Sequence, residues 1–146
     1  REDVAFANNL SGQVMTVSAC TSEHSMEYAM SAYHQELPHG AGLIMISVAY
    51  YQHFIDCYVC DERFVAMTKA LGKADASCAQ DFLDVLVQLQ KDCGVAELKM
   101  SDFGIQESEL DVLARNARET MGGLFVADPC ELSHEQCVAI YQKSYR

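Results

Sequence analysis

Apolar residues recur along the whole chain with a spacing close to the 3.6 residues of an α-helical turn. Only two prolines, Pro38 and Pro129, interrupt this spacing, and no segment gives a convincing strand pattern. The pattern predicts an all-α fold with helices at about 4–17, 22–34, 39–57, 61–71, 75–93, 108–117 and 133–144.

Local signals support several of these boundaries. Asp61 and Asp75 are suitable N-terminal caps for the fourth and fifth helices, and Gly94 is a suitable stop for the fifth. Ser133 and Gln136 have the spacing of a capping box at the start of the last helix. The third helix is apolar on nearly every side, which predicts a central buried position.

The composition predicts one folded domain with an acidic surface. The chain has 146 residues, half of them apolar, and carries 21 acidic against 10 basic residues for a net charge of −11. Such a surface repels phosphate groups, which argues against nucleic acid or an anionic membrane as a partner. The longest apolar stretch, Ala41 to Tyr51, is far shorter than the roughly 20 residues of a membrane span. We therefore expect a cytoplasmic protein.

The seven cysteines are spread over helical segments instead of a short, loop-rich chain. This distribution predicts reduced thiols that serve mostly as small core residues. Cys57 and Cys60 have the one spacing that suggests redox or metal chemistry. A zinc site requires a second close pair, however, and Cys130 and Cys137 are seven residues apart without a histidine in register.

His24 heads a polar stripe on the second predicted helix. At 100° per residue, Glu27, Tyr28 and Ser31 lie within about 60° of His24, whereas the apolar residues of this helix lie on the other side. Tyr28 stands where the zinc-peptidase pattern H-x-x-E-H has its second ligand, so that pattern fails. The remaining interpretations of His24 are a solvent-facing residue or one half of a ligand site.

His39 lies between Pro38 and Gly40 at the start of the buried third helix. The positive end of the helix dipole disfavours the imidazolium form, and neutral imidazole is the form that binds metals. Gly40 and Gly42 leave room for a close approach to the backbone. His24 and His39 are therefore candidate metal ligands, and we expect their imidazole nitrogens about 3–4 Å apart across one cleft.

The segment from Ser22 to Leu43 resembles the metal-binding segment of the iron-containing, or group III, alcohol dehydrogenases. In that family a histidine on one helix and the histidine of a Pro-His-Gly turn bind the same divalent metal, and these positions correspond to His24 and His39. The segments 98–105 and 127–133 and the last helix also resemble the C-terminal region of the family.

The resemblance implies a larger protein than this chain. Family members have an N-terminal α/β domain that binds NAD or NADP and a C-terminal all-helical domain, as in the related dehydroquinate synthase-like fold. An aspartate and three histidines hold the metal between the two domains. The chain begins at Arg1 inside an amphipathic pattern, so residues 1–146 are expected to be the single helical, metal-binding domain of such an enzyme. The aspartate, the first histidine and the nucleotide loop are expected upstream.

The implied activity is metal-assisted hydride transfer between an alcohol or aldehyde and a nicotinamide. The resemblance implies Fe²⁺ as the metal, with Zn²⁺ as the alternative, and His24 and His39 as its ligands. The family commonly has a histidine where this chain has Tyr28, which we expect to line the pocket as a catalytic residue. A phenol titrates at about 10 and an imidazole at about 6.5, so a tyrosine is the poorer proton shuttle at neutral pH.

Further expectations concern partners and alternative functions. The isolated chain is expected to be inactive, and apolar surface that would meet the N-terminal domain favours a homo-oligomer. One alternative is a helical interaction module without chemistry, favoured by the incomplete ligand set and by Tyr28. The other is a non-redox, dehydroquinate synthase-like relative that uses zinc.

Overall fold

A computed structural model describes all 146 residues and consists of helices and connecting loops without a strand. The predicted all-α fold is therefore confirmed. Short 3-10 helices cover Met100–Phe103, Glu107–Glu109 and Gly122–Ala127. The seven α-helices are α1 (Glu2–Met15), α2 (Ser22–Tyr33), α3 (His39–Asp56), α4 (Asp61–Ala70), α5 (Gln80–Asp92), α6 (Leu110–Thr120) and α7 (His134–Ser144).

The helices that carry the candidate site form the centre of the bundle. The α2 helix packs against α3 and α6, and α7 packs against α3 and α6 on the other side. The α5 helix packs against both α3 and α4. Burial of this apolar surface is the main force that holds the bundle together. The largest fully buried apolar side chains are Tyr50, Tyr141, Phe54, Met26, Met30, Ile46, Met100, Ile105, Leu110, Leu113 and Leu132.

Capping signals account for the start of α7 but not for the start of α5. Ser133 and Gln136 form the predicted capping box, in which the Ser133 hydroxyl accepts from the Gln136 amide at 3.3 Å. Asp75 does not cap α5, which begins at Gln80. Asp81, inside the first turn of α5, accepts instead from the amides of Ser77 and Cys78, at 2.8 and 3.1 Å. The acidic residue that stabilises the start of α5 thus lies inside the helix.

None of the residues of the α1 helix is buried. Phe6, for example, is 65% exposed. The predicted amphipathic helix is present, but its apolar face is uncovered.

None of the helices combines the length and the apolar character that crossing a lipid bilayer requires.

Most of the cysteines lie at the surface, so the prediction of core cysteines is wrong except at Cys137. That residue is buried and Cys20 and Cys130 are half-buried, whereas the other four, Cys57, Cys60, Cys78 and Cys93, are exposed. All seven are free thiols. The exposed ones lie at helix ends and in turns, where the helical period does not determine which side chains are buried.

Candidate metal centre

The α2 helix is fixed at its start and along its back by contacts with distant parts of the chain. The Asp128 carboxylate accepts from the Ser22 amide and from the Tyr50 hydroxyl, both at 3.0 Å. It therefore supplies an acceptor and a negative charge to the N-terminal end of α2. The Tyr141 hydroxyl donates to the Met26 carbonyl at 2.6 Å. These contacts set the direction in which the polar stripe of α2 faces.

The structure brings together the three residues that the sequence marked as site residues. The ring centroids of His24 and His39 are 5.5 Å apart, with the ring planes tilted by 52°. Tyr28 stacks on His39 with a centroid separation of 5.5 Å and an interplanar angle of 18°. It also meets His24 edge-on at 6.1 Å. One aromatic cluster thus joins the first two turns of α2 to the first turn of α3.

The spacing of the two imidazoles fits a shared divalent ion. Rings that bind one ion through nitrogens at about 2.1 Å have centroids roughly 5 Å apart, close to the 5.5 Å between His24 and His39. His24 is half-buried, and the side chain of His39 is 49% exposed. The pair therefore lies at the surface of the bundle, where further ligands and a substrate have access.

Glu27 is a site residue that the sequence analysis left without a role. Its side chain is completely buried between α2 and α3, and its carboxylate contacts both His39 Nδ1 and the Ser31 hydroxyl. Because Nδ1 of His39 is engaged by a carboxylate, Nε2 is the nitrogen left for a metal. Metal-bound histidines commonly have such a carboxylate partner, which fixes the ring and its tautomer. The sequence signal that could have identified Glu27 was its position on the same polar stripe of α2 as His24.

Gly42 is needed because α3 passes directly over Glu27. A Cβ atom at position 42 would lie 2.7 Å from Cγ and 3.0 Å from Oε1 of Glu27. The expected room beside Gly42 is thus taken up by the buried glutamate. A Cβ atom at Gly40 would meet nothing within 4 Å.

The surroundings of His24 favour its neutral form. Burial lowers its pKa below the ordinary value, the neighbouring His39 lowers it further, and Glu27 acts in the opposite direction. A lowered histidine pKa leaves the imidazole unprotonated at neutral pH, which is the state that metal binding requires. The donor set of two imidazoles backed by one carboxylate therefore suits a divalent transition metal such as iron or zinc.

The other histidines have partners that the sequence analysis did not identify. His134 Nε2 lies 2.8 Å from the Asp111 carboxylate near the surface. His53 Nε2 lies 3.8 Å from the Cys57 sulfur, one helical turn away. The i, i+4 spacing of this pair was visible in the sequence.

Comparison with known proteins gives one family match that spans almost the whole chain. A family model described as "Fe-containing alcohol dehydrogenase family, C-terminal" matches residues 1–145. A search of curated proteins found no match.

Solved structures with similar folds include alcohol dehydrogenases. One is the archaeal, halo-thermophilic Red Sea brine pool alcohol dehydrogenase ADH/D1 bound to NZQ, with 28% identity and a TM-score of 0.80 over 89% of this chain. A histidine-to-alanine mutant of the same enzyme gives 28% identity and a TM-score of 0.78 over 87% of this chain. A 1,3-propanediol oxidoreductase has 17% identity and a TM-score of 0.74 over 86% of this chain, a likeness that concerns the fold alone. The match covers 34%, 33% and 32% of those three chains, so this chain spans about a third of their length.

Proposed function

The chain belongs to the Fe-containing alcohol dehydrogenase family, and we propose that it is the helical, metal-binding half of a nicotinamide-dependent alcohol dehydrogenase. The observation that carries the proposal is the pairing of His24 and His39, 5.5 Å apart between ring centroids. A ferrous ion held there would polarise the oxygen of an alcohol or aldehyde as a Lewis acid and so favour hydride transfer to or from NAD or NADP. Zinc is the alternative metal.

The residues of this chain have distinct roles in that proposal. His24 and His39 bind the metal, and Glu27 holds the His39 ring so that its Nε2 faces outward. Tyr28 stacks on His39, and its hydroxyl donates a hydrogen bond to the substrate or takes part in proton transfer. Water is kept from the back of the site because Glu27, Met26 and Met30 on α2 are completely buried.

The remaining parts of the site would come from outside residues 1–146. Catalytic metal sites have at least three protein ligands, so two histidines must be completed by others. We propose that an upstream aspartate and histidine complete the set and that an N-terminal domain binds the nucleotide. The uncovered apolar face of α1 supports a neighbouring segment of protein at that position. A homo-oligomeric, cytoplasmic enzyme remains our expectation.

The proposal is tested on the longer protein that includes the upstream residues. Metal content is measured by mass spectrometry, and alcohol oxidation is followed through the reduced nicotinamide. His24→Ala and His39→Ala should each abolish metal binding and activity, because each change removes a nitrogen donor and leaves the coordination geometry incomplete. His134→Ala is the matched control, since the His134 ring pairs with Asp111 near the surface.

Three outcomes would contradict the proposal. If His24→Ala retains metal and activity, then His24 is not a metal ligand. Zinc binding without oxidation of any alcohol would favour the dehydroquinate synthase-like alternative. A protein that binds neither metal nor nucleotide would favour an interaction module without chemistry.

A further inference from the structure

A second cluster of metal-ligating side chains lies away from His24 and His39. It consists of His53 in the last turn of α3, Cys57 directly after α3, and Cys130 in the segment that leads to α7. Their ligand atoms all lie within 4.8 Å of one another. His53 Nε2 and Cys57 Sγ are 3.8 Å apart. The cluster therefore combines one imidazole with two thiols.

Two features of the backbone hold this arrangement. The four-residue spacing of His53 and Cys57 puts both side chains on one side of the α3 end. The chain then reverses through Tyr58 and Cys60, which both have left-handed backbone conformations at φ 55° and 61°. The Val59 amide donates to the Phe54 carbonyl at 3.3 Å and closes the turn.

Cys130 reaches the cluster from a segment that is fixed on both sides. Two residues earlier, Asp128 accepts from the Ser22 amide and the Tyr50 hydroxyl. Two residues later, Leu132 is buried, and its carbonyl accepts from the Arg118 guanidinium. The position of Cys130 next to the end of α3 is therefore set by contacts other than the cluster itself.

The ligand types, and the 3.8 Å between His53 Nε2 and Cys57 Sγ, match the requirements of a thiophilic ion. In a tetrahedral zinc site with bonds of about 2.3 Å to sulfur and about 2.1 Å to nitrogen, neighbouring ligand atoms lie roughly 3.6–3.8 Å apart. Thiolate and imidazole ligands together select zinc over hard cations such as magnesium. We propose that His53, Cys57 and Cys130 form a zinc site that ties the end of α3 to the segment before α7, with solvent at the fourth position.

This site is independent of the candidate metal centre in space. His39 is the first residue of α3 and His53 lies in its last turn. Fourteen residues of helix separate the two histidines by about 21 Å along the axis. The proposed zinc site therefore does not depend on the proposed dehydrogenase activity.

The experiment is a metal titration of the reduced, metal-free chain. Cobalt(II) is the spectroscopic probe, because a thiolate-to-metal charge-transfer band reports sulfur ligands directly. The wild-type chain should develop this band at one equivalent of cobalt(II), and zinc should remove the band by competition. Zinc should also raise the melting temperature, since a ligand that binds only the folded state stabilises it.

Matched variants identify the ligands. Cys57→Ser and Cys130→Ser should each lower the affinity for zinc by at least about 100-fold, because the loss of a direct ligand costs more than the loss of an outer-shell partner, which costs about 10–100-fold. Cys93→Ser, a change at an exposed thiol after α5, should leave the band and the affinity unchanged. His39→Ala should also leave the band unchanged, because an imidazole supplies no thiolate charge transfer. Circular dichroism verifies that each variant is folded.

Two results would overturn the proposal. One is the absence of a charge-transfer band in the folded, reduced wild-type chain. The other is a Cys130→Ser variant that binds cobalt(II) and zinc with wild-type affinity. Loss of binding in His39→Ala but not in Cys130→Ser would assign the metal to the candidate centre at the other end of α3.

Discussion

The imidazole of His39 is held from behind by the carboxylate of Glu27, across the contact between α2 and α3. Glu27 is completely buried, whereas the His39 side chain is 49% exposed. A buried carboxylate is costly unless hydrogen bonds compensate it, and His39 and Ser31 provide them. This pair therefore links the interior of the bundle to the outward-facing nitrogen of the candidate site.

The first prediction concerns Glu27. In the longer protein, Glu27→Gln should lower the affinity for iron or cobalt by about 10–100-fold, because a neutral amide holds the His39 ring less firmly. The affinity is measured by competition with a chelator of known strength. The exposed Glu36 provides the control, and Glu36→Gln should have no effect. Unchanged metal affinity in a folded Glu27→Gln protein would mean that Glu27 serves packing alone.

The second prediction concerns the two glycines at the start of α3. Gly42→Ala should destabilise the chain by about 1–3 kcal/mol, because the new methyl group would overlap the buried Glu27 side chain. Gly40→Ala should be neutral or stabilising by up to about 1 kcal/mol, since the methyl group would meet open space and alanine favours helix. Urea unfolding of both variants measures the difference. Equal stabilities would show that Glu27 moves aside without cost.

The sequence predicted those features that depend on residues near each other in the chain. Pro38 marked the start of α3, and Ser133 with Gln136 marked the start of α7. Four apolar residues of α6 recur with the helical period, and all four are buried: Leu110, Leu113, Ala114 and Ala117. Short-range periodicity and capping chemistry decide these features, so they are accessible without a structure.

Features that depend on distant contacts were missed. The Asp128 carboxylate caps α2 from a position 106 residues away, and no local pattern indicates such a partner. Cys130 approaches His53 and Cys57 for the same reason. The proximity of His24 and His39 was expected from two separate helix signals and from the family resemblance. The role of Glu27 required the packing of α2 on α3, which the period of one helix does not specify.

The third prediction concerns the pH dependence of stability at the start of α5. The carboxylate of Asp81 accepts from the Lys73 ammonium and from two backbone amides, which together hold its pKa well below the ordinary value. A depressed carboxyl pKa stabilises the fold above the unfolded-state value near ~3.9 and loses this effect as the pH falls toward the folded-state value. Asp81→Asn should therefore lower the melting temperature at pH 7, and the difference should shrink below about pH 4.

The control for this effect lies one turn along the same helix. Asp84 is exposed, and Asp84→Asn should change the melting temperature little at either pH. Melting is followed by circular dichroism at 222 nm, a wavelength that reports helix. If the melting temperature of Asp81→Asn stays lower by the same amount from pH 7 to pH 3, then the effect comes from the amide contacts and not from the charge.

The fourth prediction concerns α1. Isolated helices of about 12–15 residues are marginal in water, and α1 has 14 residues with none buried. Its backbone amides should therefore exchange with deuterium almost as fast as those of an unfolded chain, whereas the α3 amides should be strongly protected. Exchange measured by mass spectrometry at low protein concentration distinguishes them. Protection of α1 equal to that of α3 in a monomeric chain would contradict the uncovered position of this helix.

The last prediction concerns Tyr28, which stacks on His39 and meets His24 edge-on. In the longer protein, Tyr28→His should preserve or raise turnover, because an imidazole titrates near neutral pH and four-residue spacing points it at the metal site. Tyr28→Phe keeps the stacking surface but removes the hydroxyl, so it should lower turnover by no more than about tenfold if the hydroxyl only donates a hydrogen bond. Steady-state rates with a panel of short alcohols measure both. If Tyr28→Phe abolishes turnover and Tyr28→His does not restore it, then the phenol has a chemical role that no imidazole replaces, and the proton transfer implied by the family resemblance does not operate in this protein.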